Sequence, residues 1–283
     1  MAASVTAAGN RAVTGGQAPG GVEPHTVLLT KTTPSECRNE SGGSCVPPSV
    51  KRKIEGAAPV ESEAIRRELS PVEADAVLAE HFKPAGPRDS DELLSNVNID
   101  DALGQWAAAI PAFVPFPFAM IDTPERAADH PLSAAAAEGC EKAVGPGCFG
   151  RLIAKGARCF ACVFNTDRIG GRGIHWFAIF VDCRSAPWTI EYFNSSGRPA
   201  HPNVLRWMAR ARRVLSAADG APGVESVCVS QIQHQRSDTE CGLYSLYYVR
   251  CRLDGVPFSR FERGAVPDSL MREFRKHVFR QED

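Results

Sequence analysis

Three features of the amino-acid sequence predict an α+β fold. Short apolar or alternating runs between Cys159 and Phe193 read as strands separated by turn residues. Stretches of helical spacing lie before them, and amphipathic stretches lie after them. The two kinds of element are grouped along the chain, which argues against a repeated βαβ plan. The chain has 283 residues, 43% hydrophobic and 23% charged, enough to bury the core of one large domain.

The elements follow in order. Residues 1–60 are poor in aromatics and rich in Gly, Ser, Thr, Pro and Ala. They bury too little apolar surface to offset their ordering entropy, so they read as a flexible tail. From Glu61 onward Ile65, Leu69, Val72, Ala76, Leu78 and Phe82 fall near helical spacing. Ser70-Pro71-Val72-Glu73 supplies a capping Ser, a Pro at the first helical position and a Glu three residues after the cap. Short helices are expected over 62–82, making a helical arm of residues 61–88. Pro84-Ala85-Gly86-Pro87 breaks the chain there, and a folded domain is expected over 89–283.

Within that domain a helix is expected from Asp89 to Trp106, with Ile99, Leu103 and Trp106 on one face. Proline-rich extended chain runs to Asp122, and an alanine-rich helix is expected near 125–143. Cys159–Phe164, Trp176–Val181 and Thr189–Phe193 are the strands. Val204–Leu215 is an amphipathic helix with Arg206, Arg210, Arg212 and Arg213 outward. Val224–Gln231 is a further strand, Cys241–Arg252 an apolar helix and Asp268–Phe279 a last amphipathic helix.

Several classes are excluded. The longest apolar stretch, Ala107–Ile121, carries Pro111, Pro115 and Pro117, so no membrane span is expected. No signal-peptide pattern opens the chain, secretion is not expected, and the ten cysteines read as reduced thiols. Cys159-x-x-Cys162 lies in a buried strand and lacks a second pair at zinc-site distance; Cys140 and Cys148 could complete a set only by long-range folding. No metal is therefore implied. Residues 1–150 carry 20 acidic against 12 basic residues, and residues 151–283 carry 13 against 20. Arg198 and the arginines of 206–213 could track DNA phosphates, although a solvated helix face is the commoner use of such a run.

Four residues combine into chemistry. Cys241 follows a polar turn and opens an apolar helix, where the dipole and free N–H groups favour a thiolate. Gly242 beside it allows a substrate backbone to approach. His175 follows a Gly-rich turn at the start of a strand and can serve as general base. Asn194 ends the next strand and can fix the imidazole tautomer, as in Cys-His-Asn triads. Glu191 is a charged rival, but strand parity puts it on the opposite face from Tyr192 and Asn194. Gln235, six residues before Cys241, can supply an oxyanion donor together with the Cys241 N–H; Gln233 is its competitor.

Gly171-x-Gly-x-His175-Trp176-Phe-Ala-Ile-Phe, Tyr192-Phe-Asn-Ser-Ser-Gly197 and Gln235-x5-Cys241-Gly-Leu-Tyr, with Asn165-Thr-Asp, resemble the adenovirus-protease and SUMO-protease (Ulp-type) clan of cysteine peptidases. Leu94-Ser-Asn-Val-Asn-Ile-Asp-Asp-Ala-Leu-Gly-Gln-Trp106 and Pro117-Phe-Ala-Met-Ile-Asp122 look closer to the branch in large DNA viruses, as in asfarvirus and iridovirus proteases. The resemblance covers about residues 90–283. It implies a central mixed sheet flanked by helices, with the nucleophile at the N-terminus of a central helix. It assigns His175, Asn194, Gln235 and Cys241 as catalytic residues, and places Trp176 beside the substrate channel. SUMO proteases carry Asp where this chain has Asn194. It implies cleavage of viral structural polyproteins during virion maturation, after Gly-Gly or similarly small residues, in the host cytoplasm and the virion. The alternative is a deconjugating isopeptidase acting on SUMO or a ubiquitin-like tail. No cofactor is implied.

Overall fold

The computed structural model describes residues 83–137, 139–140 and 147–280. The tail expected over 1–60 and the helices expected over 62–82 lie outside the described residues.

A six-stranded mixed sheet organises the domain. Its strands are β1 (Phe113–Pro115), β2 (Ala119–Met120), β3 (Cys159–Asn165), β4 (Trp176–Asp182), β5 (Trp188–Phe193) and β6 (Val224–Val229). The order is β1-β3-β4-β5-β6, with β2 also pairing β3. β3, β4 and β5 pair antiparallel, whereas β1, β2 and β6 add in parallel. Every residue of β3, β4 and β5 is buried, because helices cover both faces. Successive strand residues point to opposite faces. Ala161, Val163, Ala178, Phe180 and Phe193 join one core, against α1 (Asn96–Ala109), α6 (Cys241–Leu253) and α7 (Asp268–Val278). Phe160, Cys162, Phe164, Phe177, Ile179 and Tyr192 join the other, against α3 (Pro131–Ala135), α4 (Phe149–Ala154) and α5 (Pro202–Ser216).

Strands β3 to β6 and the three C-terminal helices fall within two residues of their expected limits, whereas β1 and β2 form in chain expected only to be extended. The N-terminal half differs more. Helix α1 starts at Asn96 and not at Asp89, because Ser95 and Asn98 close a reciprocal capping box. Residues 83–94 run across α7 instead: Arg280 donates to the Pro84 carbonyl at 3.0 Å, and buried Arg275 donates to the carbonyls of Pro87 and Glu92, each at 2.9 Å. The single helix expected near 125–143 is replaced by α2 (Thr123–Arg126) and α3, each with a proline in its first turn. Pro131 lacks the N–H that would continue a helix and holds the preceding residue extended. Helix α4 was not anticipated. Cys140 and Cys148 form a disulfide across a Cα separation of 5.3 Å, correcting the expectation of ten reduced thiols. No described helix is long and apolar enough to cross a membrane.

Candidate active site

The C-terminal end of β3, the N-terminal end of β4 and the C-terminal end of β5 lie side by side. That register brings Asn165, His175 and Asn194 to one edge of the sheet, and the N-terminus of α6 meets them there. Cys241 is the first residue of α6 and 2% exposed. The backbone N–H groups of Trp176, Gly242 and its own residue lie near the sulfur and favour its charged form. Burial pushes the thiol pKa up, those N–H groups pull it down, and the Glu240 charge pushes it up again, leaving it above the ordinary value. The expected thiolate is thus a protonated thiol at rest: desolvation outweighs the helix terminus.

His175 lies one residue before β4, and its Nε2 meets Asn194 Oδ1 at 2.8 Å. The chemistry of the neighbours fixes the tautomer. Asn194 Oδ1 also accepts from the Ser196 backbone N–H at 3.0 Å, a group that can only donate, so this atom is the amide oxygen. An oxygen facing Nε2 requires a proton on Nε2, which leaves Nδ1 as the lone-pair nitrogen. The other end of the amide is fixed as well: Asn194 Nδ2 donates to the Tyr192 hydroxyl at 2.8 Å, and that hydroxyl donates to the Arg198 carbonyl at 3.1 Å. Burial lowers the pKa of His175, the Asn194 bond raises it, and the Arg198 charge lowers it, for a net depression. Cysteine and histidine are therefore both neutral in the resting site. No hydrogen bond joins them among the described residues.

Glu191 is absent from this arrangement. It is fully buried on the other face of β5, 2.8 Å from Arg252, as strand parity requires. Gln235 sits in the loop before α6. Its Oε1 accepts from Ser195 Oγ at 2.9 Å and its Nε2 donates to the Ser237 carbonyl at 2.8 Å, which leaves one amide hydrogen uncommitted. Gln233 is exposed and donates to the Gln235 carbonyl, a supporting position.

A cavity of about 690 Å³ opens onto Cys241. Leu94, Phe118, Asn165 and Trp176 contribute to its lining, and Leu93, Ile169 and Ile174 expose large apolar side chains around it. Trp176 is nearly buried; its Nε1 donates to the Leu94 carbonyl at 3.1 Å and its ring meets Phe118 edge-on. The space at Gly242 is taken by Leu94, whose Cβ lies 3.0 Å from where a Gly242 Cβ would stand. Gly242 therefore admits this chain's own leucine, and not the substrate backbone that its position suggested.

The description of the Ulp1 protease family, C-terminal catalytic domain, matches residues 160–283. A protein of African swine fever virus (isolate Tick/South Africa/Pretoriuskop Pr4/1996) named SUMO-1 cysteine protease is 40% identical over 203 residues, covering 72% of this chain and 73% of its own. The chain belongs to the Ulp1 protease family. It is a cysteine-type peptidase. As a Ulp1-family protease it also superposes on the crystal structure of an African swine fever virus protease, with a TM-score of 0.61 and 32% identity over 92% of this chain and 89% of that one. The mixed sheet with flanking helices is the expected fold of the family.

Two residues of this Ulp1-family protease went unnoticed in the sequence. Tyr192 was used only to mark strand parity, although a buried tyrosine two residues before an orienting Asn requires a hydroxyl partner. Asn165 was read only as part of a motif. Of the arginines on α5, Arg206 pairs with Glu125 at 2.7 Å and Arg210 donates to the Pro124 carbonyl, so both anchor the helix to α2. Among the described residues no cluster of three metal-ligating side chains occurs.

Proposed function

We propose that this protease cleaves viral structural polyprotein precursors, after Gly-Gly or similarly small residues, by thiol attack and an acyl-enzyme intermediate. The observation that carries the chemistry is the orientation of the Asn194 amide. Its oxygen accepts from Nε2–H of His175, which selects that tautomer and leaves Nδ1 as the base. The substrate class rests on the 40% likeness to an African swine fever virus cysteine protease and on a cavity lined by three glycines together with apolar residues.

In this reading the Cys241 thiol passes its proton to Nδ1 of His175 as the sulfur attacks the scissile carbonyl. Asn194 stabilises the imidazolium by accepting from Nε2. The uncommitted Gln235 amide hydrogen and the Cys241 backbone N–H hold the oxyanion. The imidazolium then protonates the leaving amine, and a thioester remains. Water attacks that thioester, giving its proton to Nδ1, and the thiol is restored. Both groups start neutral, so the proton moves within the reaction and need not have moved before it.

The test is cleavage of a candidate structural polyprotein, and of a Gly-Gly-X peptide, by wild type and by Cys241→Ala. Wild type should cut and the variant should not; cleavage by the variant overturns the assignment. The name of the African swine fever virus relative favours a second reading, a SUMO-deconjugating isopeptidase. A SUMO-tail electrophile labelling Cys241 faster than a Gly-Gly-X peptide electrophile would select it.

A further inference from the structure

We propose that Asn165 is a substrate-binding residue whose side-chain N–H donates to a main-chain carbonyl of an extended peptide in the cleft; this rests on the assignment of Cys241 as nucleophile. Asn165 is the last residue of β3, paired with Trp176 across the strands. His175 thus has an asparagine on either side of it, Asn194 toward β5 and Asn165 toward β3. The two amides are used differently.

Asn165 Oδ1 accepts from the backbone N–H groups of Asp167 and Ile174, each at 2.9 Å. Backbone N–H groups only donate, so the oxygen is identified and the amide cannot flip without losing both bonds. The nitrogen is left on the other side. Asn165 is 3% exposed, lines the cavity that contains Cys241, and makes no hydrogen bond through Nδ2 among the described residues. That nitrogen is not cut off from solvent, so the cavity gives a ligand access to an amide donor that no other described residue uses.

The loop beyond β3 keeps that nitrogen uncovered. Gly173 has φ +91°, a conformation that favours glycine, and a Cβ there would lie 3.0 Å from Asn165 Nδ2. Beside Gly171 the Asp167 carboxylate folds back to accept from the Arg168 and Gly173 N–H groups, and a side chain at 171 would have to displace it. Gly170, Gly171 and Gly173 all line the cavity, interleaved with Ile169, Arg172 and Ile174, so the wall beside the donor offers backbone between side chains. A donor at fixed height beside such a wall suits the carbonyl of an extended peptide, whose recognition requires no particular side chain.

Asn165→Asp separates this role from loop anchoring. The carboxylate keeps an acceptor for both N–H groups but replaces the donor with a second acceptor. The experiment compares alkylation of Cys241 by a peptidyl vinyl sulfone ending in Gly-Gly with alkylation by iodoacetamide, in the full-length protein, together with its thermal midpoint. Wild type should prefer the peptidyl reagent, and Asn165→Asp should lose about tenfold or more of that preference, read as the ratio of its peptidyl to its own iodoacetamide rate, while its midpoint stays unchanged. Gly173→Ala, which crowds Nδ2, should lose preference in the same direction. An unchanged preference in Asn165→Asp overturns the proposal, and so does a parallel fall of preference, iodoacetamide rate and midpoint. If iodoacetamide modifies other cysteines and spares Cys241, the assignment of the nucleophile itself fails, a result distinct from either.

Discussion

Helix α6 begins at one polar site and ends at another, and the two are built on opposite terms. At its start, Cys241, His175 and Asn194 are all neutral, and the imidazole and thiol are left unbonded to one another. At its end, Arg252 is 6% exposed and forked between Glu191 at 2.8 Å and Asp182 at 2.8 Å. Tyr248 and Thr189 donate to the same Glu191, and Arg184 pairs with Asp182 at 2.7 Å. The first site keeps a proton free to move. The second compensates every buried charge and leaves nothing to move. β5 serves both, with Glu191 facing one end of the helix and Tyr192 holding Asn194 at the other. The catalytic end can afford loose contacts because the charged end fixes helix to sheet.

The sharpest break in that comparison is Cys241→Ala. It should abolish turnover, a loss of at least about 10⁴-fold in kcat, with no fall in the urea midpoint. Arg252→Met should do the reverse. Removing it leaves buried Glu191 without a cation, Asp182 staying paired with Arg184, and should lower stability by about 3–5 kcal/mol, measured by urea unfolding at neutral pH. The folded fraction should keep wild-type kcat. A large loss of kcat with unchanged stability in Arg252→Met would show that the two ends are not separate. The charged end also sets the acid limit. Burial works against the Asp182 carboxylate, but Arg184 and Arg252 hold its pKa below the ordinary 3.8. Its stabilisation is therefore present above pH 3.8 and is lost as pH falls through the lower folded value.

Asn194→Ala comes next, with a loss of about 10²-fold in kcat, since the imidazole is then free to turn and to adopt either tautomer. The pH profile gives a second reading. His175 has a pKa depressed by burial, so its base form survives below pH 6.5 and the acid limb of kcat/KM should have its midpoint below that value. The Asn194 bond is what raises the His175 pKa, so Asn194→Ala should move the acid limb lower still. Asn194→Asp, which puts a negative charge beside Nε2, should move it up. A limb that stays in place in both variants would mean that another group governs it.

The sheet and the C-terminal helices were legible because their signals are local. Cys159–Phe164 and Trp176–Val181 are apolar runs bounded by turn residues, and parity alone separated Glu191 from Asn194. His175, Asn194, Gln235 and Cys241 were legible as residue types at family spacing. What stayed hidden depends on contacts distant in sequence. Leu94 fills the space at Gly242 only because Arg275 draws residues 87–92 across α7. The protonated state of Cys241 reflects burial by residues distant in sequence, such as Trp176, which outweighs the helix terminus that the sequence displays. The split of 125–143 was within reach, since Pro124 and Pro131 each mark a helix start.

Tyr192→Phe is the finest probe of the contrast, because it changes one oxygen atom at the neutral end. Burial pushes the Tyr192 phenol up to about 12, so its hydroxyl is intact throughout the working range. It accepts from Asn194 Nδ2 and donates to the Arg198 carbonyl. Its loss leaves a donor unpaired in a residue that is 2% exposed. Ser196 still holds the Asn194 oxygen through its N–H and its hydroxyl, so the amide keeps its orientation for most of the time. A partial effect follows: kcat should fall about five- to tenfold with KM unchanged, since no substrate contact is touched. Stability should fall by about 1 kcal/mol. Ser196→Ala combined with Tyr192→Phe should be slower again, because only the Ser196 backbone N–H then restrains the amide. If the double variant is no slower than Tyr192→Phe alone, amide orientation is not what the tyrosine controls.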